Sequence, residues 1–85
     1  MKWGLAITSS AKRQLRRLSA PELGDINHAF SEMCEDPFRG DVKFLRGLDG
    51  ALRRRVGDWR VLYELNQEHK VIVITAVRRR ASNTY

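Results

Sequence analysis

At Asp36-Pro37 the spacing of apolar residues changes, and that change constrains the fold more than any other feature of the chain. Upstream, apolar residues recur at helical intervals; downstream they alternate or run together as β-branched residues. Ala11, Leu15 and Leu18 line one face of a first helix, with Lys12, Arg13, Arg16 and Arg17 on the other, and Ser9 or Ser10 is placed to cap it. Ser19-Ala20-Pro21-Glu22 then has the spacing of a capping box with proline in the first turn. The helix it opens carries Leu23, Ile26, Phe30, Met33 and Cys34 along one stripe, and ends at Asp36 because a residue before proline disfavours helical dihedrals. A short strand over 3–8, with Leu5 and Ile7 on one face, precedes both helices.

Downstream the pattern is that of strands. Residues 44–46 are short and extended, 47–50 read as a turn, and 52–56 form a basic strand. Gly57-Asp58 supplies a turn or bulge before 59–65, where Trp59, Val61, Tyr63 and Leu65 share one face and Arg60, Leu62 and Glu64 the other. After a polar turn, 71–77 is apolar on both faces and β-branched, which suits the middle of a sheet. The tail, 78–85, is polar and basic. The expectation is one α+β domain over 1–85 with the order β-α-α-β-β-β, two antiparallel helices packed on one face of a small antiparallel sheet.

Charge then narrows the partners. The chain has a net charge of +6, of which residues 1–45 contribute +1 and 46–85 contribute +5, most of it as arginine. Arginine suits bidentate contact with phosphate or carboxylate, so the second half reads either as a solvated basic face or as the docking surface for a polyanion. Cys34 is the sole cysteine and there are two histidines, which leaves neither an internal disulfide nor a histidine–cysteine metal site; no metal and no cofactor are expected. No run of about 18 apolar residues is available to cross a membrane, and 1–10 does not read as a secretory leader. The expected location is the cytoplasm.

The segment Leu52-Arg53-Arg54-Arg55-Val56-Gly57-Asp58-Trp59-Arg60-Val61-Leu62-Tyr63 resembles a segment of the RelE/ParE superfamily of toxins, with tryptophan where an aromatic is usual. Leu45-Arg46-Gly47-Leu48 looks like the turn that precedes it there. Residues 71–77 with Arg78-Arg79-Arg80 look like the last strand and its basic exit, and Tyr85 stands where RNA-cleaving members have a tyrosine. The resemblance spans essentially the whole chain. It implies the toxin of a type II toxin–antitoxin system. RelE-like members enter the ribosomal decoding site and cut messenger RNA by attack of the 2′-hydroxyl on the adjacent phosphate, leaving a 2′,3′-cyclic phosphate. ParE-like members share the fold and inhibit DNA gyrase, so the fold alone does not choose.

RNA transesterification needs a base, a charge clamp and a way to protonate the leaving oxygen. His28, in the second helix, and His69, in a turn, are not expected beside the basic strands, which leaves arginine and tyrosine. By resemblance, Arg60 holds the scissile phosphate, Arg79 stabilises the transition state and Tyr85 is the general base, with Arg55 assisting. Arg53 and Arg55 project from one side of their strand and Arg54 from the other. Arg53, Arg46, Arg54, Arg78 and Arg80 complete the expected RNA- and phosphate-binding set, and Arg78 or Arg80 takes the place of Arg79 if the register slips by one. The implied partners are a RelB-like antitoxin, the 70S ribosome with its message, and operator DNA only through the antitoxin. A basic module that binds nucleic acid without chemistry is a third reading, marked by steep salt dependence and no cleavage.

Overall fold

The computed structural model describes residues 2–45 and 50–79. Among these described residues seven elements follow one another: β1 (Gly4–Ile7), α1 (Ser9–Leu15), α2 (Ala20–Glu35), β2 (Val42–Phe44), β3 (Ala51–Val56), β4 (Trp59–Asn66) and β5 (Val71–Arg79). The strands form one sheet in the order β1-β5-β4-β3-β2. α1 rests on β5, and α2 packs against β1 and β3.

The α+β layering is the expected one, with three differences of detail. A separate strand, β2, pairs antiparallel with β3 on the far edge. β1 joins β5 in parallel, so the sheet is mixed, because the chain returns to it only after the whole of the meander. β5 also runs on through Arg78 and Arg79, which belong to the strand and not to a tail.

The helix boundaries follow local chemistry. Thr8, not Ser9 or Ser10, caps α1: its hydroxyl accepts from the Ala11 amide at 3.2 Å, while the serines sit in the first turn. Ser19 and Glu22 make the full capping box of α2, with the Glu22 amide donating to Ser19 Oγ at 3.3 Å and the Ser19 amide to Glu22 Oε1 at 2.9 Å. α2 buries Ile26, Ala29, Phe30, Met33 and Cys34 against the sheet. The sheet answers with Leu52, Val61, Tyr63, Ile72, Ile74 and Val77, all nearly inaccessible to water. Each such aliphatic or aromatic side chain contributes about 1.5–3 kcal/mol of burial.

Two local features set the register that matters. Gly57-Asp58 closes the β3–β4 hairpin in two residues, with Gly57 at φ 58° as the primed turns require at their first position. Val56 is thereby paired with Trp59, and Arg55 with Arg60. On the other side of β4, Leu62 pairs with Ala76 while Tyr63 pairs with Ile74, which leaves Thr75 as an extra residue in β5. Thr75 Oγ1 donates to the Leu62 carbonyl at 3.2 Å, and the Thr75 carbonyl accepts from Thr8 Oγ1 at 3.4 Å. One extra residue exchanges the faces served by odd and even positions beyond it.

Candidate functional site

The exchange of faces decides which basic side chains meet. Strict alternation from Val71 places Arg79 on the face opposite the helices; the bulge at Thr75 places Arg78 there instead. Arg60 is then flanked by Arg55 on β3 and by Arg78 on β5, a row of three arginines across three adjacent strands. Directly opposed residues in such a ladder have Cβ atoms about 4.5–5.5 Å apart, and like charges in that relation destabilise a sheet. Among the described residues none of the three has a carboxylate partner. Three arginines on directly opposed backbone positions, without a carboxylate partner among the described residues, offer chemistry that can receive a phosphate or carboxylate.

The next row along the same face is Lys43, Arg53, Leu62 and Ala76. Half-buried Leu62 and buried Ala76 give an apolar floor beside the arginines, suited to the face of a sugar or base. Arg53 lies 3.8 Å from Asp41, so part of its charge is already answered. Lys43 directly opposes Arg53 and extends the positive surface toward the β2 edge.

Arg54, expected with the phosphate-binding set, does not join it. It faces the helices, is only 9% exposed, and its Nη2 donates to Glu32 Oε1 at 2.7 Å. This hydrogen bond holds the Glu32 carboxyl below the usual carboxylate range. Gly40, at φ 89°, makes room: a Cβ there would stand 2.8 Å from Arg54 Cζ. Arg54 is a buried structural cation and is out of reach of a phosphate on the other face.

Arg79 likewise departs from expectation. It pairs with Trp59 across the strands, its guanidinium lies 5.0 Å from the centre of the Trp59 ring, and its Nη2 donates to Glu22 Oε2 at 3.0 Å. Trp59 Nε1 donates to the same oxygen at 3.3 Å. The Glu22 carboxyl is held below the ordinary range, first by the Ser19 amide and then by its Ser19, Trp59 and Arg79 neighbours. Nothing in the sequence singled Glu22 out beyond its place in the capping box.

Tyr63 is the one described tyrosine, and it is core. Its hydroxyl donates to the Pro37 carbonyl at 2.6 Å, and burial pushes its phenol up to about 12. His28 lies on exposed α2 surface near Glu32, and His69 sits in the turn at the far end of β4 from Arg60, so neither enters the row. Trp3 is buried, whereas Phe44 stands exposed beside Phe38. Among the described residues no group of three or more His, Cys, Asp or Glu could hold a metal, and no helix is long and apolar enough to cross a membrane. Arg46, Arg80 and Tyr85 lie outside the described residues.

The chain has counterparts among known proteins. A family profile described as the ParE toxin of the type II toxin–antitoxin system parDE matches residues 5–84. The chain is similar to Toxin RelG of Mycobacterium tuberculosis, 32% identical over 82 residues that cover 95% of this chain and 94% of RelG. It is similar also to Toxin RelE of the same organism, 34% identical and covering 92% of this chain and 82% of that toxin. The crystal structure of the M. tuberculosis toxin–antitoxin complex RelBE2 contains a chain that superposes with a TM-score of 0.83 at 32% identity, covering 94% of this chain and all of that one.

Proposed function

The chain belongs to the ParE toxin family of type II toxin–antitoxin systems, within the RelE/ParE superfamily, and from that premise we propose that it is a ribosome-dependent endoribonuclease that cuts messenger RNA in the decoding site. The observation that carries the reading is the row Arg55, Arg60 and Arg78, unpaired among the described residues and beside the apolar floor of Leu62. A protein that only needed a basic surface for solubility would gain nothing from stacking like charges directly across strands.

In the proposed reaction the 2′-hydroxyl loses its proton to Tyr85 and attacks the adjacent phosphorus. The bond to the 5′-oxygen breaks, leaving a 2′,3′-cyclic phosphate upstream and a 5′-hydroxyl downstream. Arg60 and Arg78 hold the non-bridging oxygens as charge builds on them, with Arg55 beside Arg60. A guanidinium with a pKa above about 12 releases its proton reluctantly, so the arginines act by charge and the leaving oxygen is protonated from water. One preorganised donor of this kind is worth about 10²–10³ in rate. The phenol of Tyr85 would ionise usefully only with such cations near it. Arg53, Arg46 and Arg80 extend the grip on the RNA backbone. Arg79, assigned to the transition state by resemblance, is replaced in that role by Arg78. The ribosome supplies the in-line geometry that free RNA lacks.

The RelBE2 relative is a toxin–antitoxin complex. We extend that to a RelB-like antitoxin for this chain, whose acidic or amphipathic segment folds over the basic face and neutralises the arginine row. Operator DNA is reached only through that antitoxin, and the site of action is the cytoplasm. A second reading, inhibition of DNA gyrase without cleavage, draws on the ParE name of the matching family.

The test adds purified protein to translating bacterial ribosomes and maps the ends of the message. Cleavage within the decoding site, a cyclic phosphate end, and loss of both in Arg60→Ala and Tyr85→Phe are the expected results. Intact message together with inhibited supercoiling by gyrase would transfer the assignment to the second reading.

A further inference from the structure

Glu22 gathers donors from three separate elements. Its Oε1 takes the Ser19 amide at the start of α2, and its Oε2 takes Trp59 Nε1 from the start of β4 and Arg79 Nη2 from the end of β5. Arg79 is further held by stacking on the Trp59 ring. These contacts fall one register step from the pair that matters: Trp59 opposes Arg79, and Arg60 opposes Arg78.

Two consecutive residues of a strand point to opposite faces, so anchoring one fixes the other. Two consecutive arginines, Arg78 and Arg79, end β5, and nothing in their own chemistry selects which of them turns toward Arg60. The bulge at Thr75 sets the phase, but Thr75 lies three residues upstream, and a strand end is where pairing frays. A carboxylate on the helix side can hold an arginine there, and only Arg79 is within its reach among the described residues.

We propose that Glu22 is a positioning residue: by clamping Arg79 against Trp59 on the helix face, it obliges Arg78 to stand beside Arg60. The clamp also removes Arg79 as a competitor for the phosphate, since its charge is already answered. This rests on the RNA-cleaving reading for its consequence in rate, but the clamp itself is a statement about which arginine meets an anion.

Two measurements separate the inference from that reading. The first follows the Nε–Hε resonances of Arg78 and Arg79 in uniformly labelled protein as inorganic phosphate is added. In the native chain Arg78 is expected to shift and Arg79 to stay; in Glu22→Gln the shift is expected to be divided between them. An Arg78 response unchanged in Glu22→Gln overturns the clamp, whatever the protein does on ribosomes.

The second is the ribosomal cleavage rate. Glu22→Gln, which keeps a capping side chain, is expected to lower the rate at saturating protein about tenfold, the scale of a small misplacement. The concentration for half-maximal rate is expected to stay within about twofold. Glu22→Gln combined with Arg79→Ala is expected to be no slower than Arg79→Ala alone, because the two act in series. Ser19→Ala, which breaks the cap and leaves the clamp, is expected to lower Tm without lowering the rate. Additive losses in the double variant, or a Ser19→Ala loss that matches Glu22→Gln, would make Glu22 merely structural.

Discussion

Arg60 and Arg78 are direct cross-strand partners, and among the described residues no carboxylate pairs with either. Arg55 completes the row on the other side of Arg60. Charges of one sign facing each other across a ladder oppose folding, so the row is a place where stability is given up for a task.

That trade is measurable. Arg78→Ala removes one of the repelling charges from an exposed position, and is expected to stabilise the fold by about 0.2–1 kcal/mol in urea unfolding. The same substitution is expected to abolish most cleavage. A destabilised Arg78→Ala would mean that the guanidinium has a structural partner.

Arg54 calls for the opposite result. Its charge is buried and met by Glu32, and its guanidinium lies over Gly40. Arg54→Met keeps most of the packing but leaves Glu32 without its partner, so it is expected to lower stability while leaving ribosomal cleavage within about threefold, because Arg54 faces the helices and not the open face. Gly40→Ala combines a left-handed φ with a steric clash and is expected to cost about 1–3 kcal/mol, measured by the same unfolding curves. Cleavage that collapses in a well-folded Arg54→Met would return Arg54 to the phosphate-binding set.

Tyr63 predicts an alkaline transition. Burial pushes its phenol up to about 12, whereas in the unfolded chain it titrates near pH ~10. A folded pKa above the unfolded one gives stability that is full below pH ~10 and is lost as the pH rises toward about 12, in all about 2–3 kcal/mol. Tyr63→Phe is expected to flatten that dependence and to cost about 1–2 kcal/mol at neutral pH, because the Pro37 carbonyl loses its donor.

The layering and the faces of Arg53, Arg55 and Arg60 were legible in the sequence for plain reasons. Helical spacing, the Ser19–Glu22 cap and the Asp36-Pro37 stop mark the helical half, and alternation through Trp59, Val61 and Tyr63 puts Arg60 on the open face. Arg53 and Arg55 follow from the same period. What escaped was the phase of β5: residues 71–77 are apolar on both faces, so no alternation reveals the extra residue at Thr75, and nothing corrected the choice of Arg79 that the resemblance implied. Arg54 faces inward by the same period that sends Arg53 and Arg55 outward, but its partner Glu32 lies 22 residues away and only the packing of α2 on β3 brings them together. Glu22 hid behind a simpler duty, since a capping carboxylate needs no second role to explain it.

In the proposed mechanism Arg78, and not Arg79, completes the site with Arg60. The most direct measurement compares the ribosomal cleavage rates of Arg78→Ala and Arg79→Ala, each at saturating protein. Arg78→Ala is expected to lose about 10²–10³ and Arg79→Ala no more than about tenfold. An Arg79→Ala variant as damaged as Arg78→Ala, or more so, would put Arg79 in the site in place of Arg78.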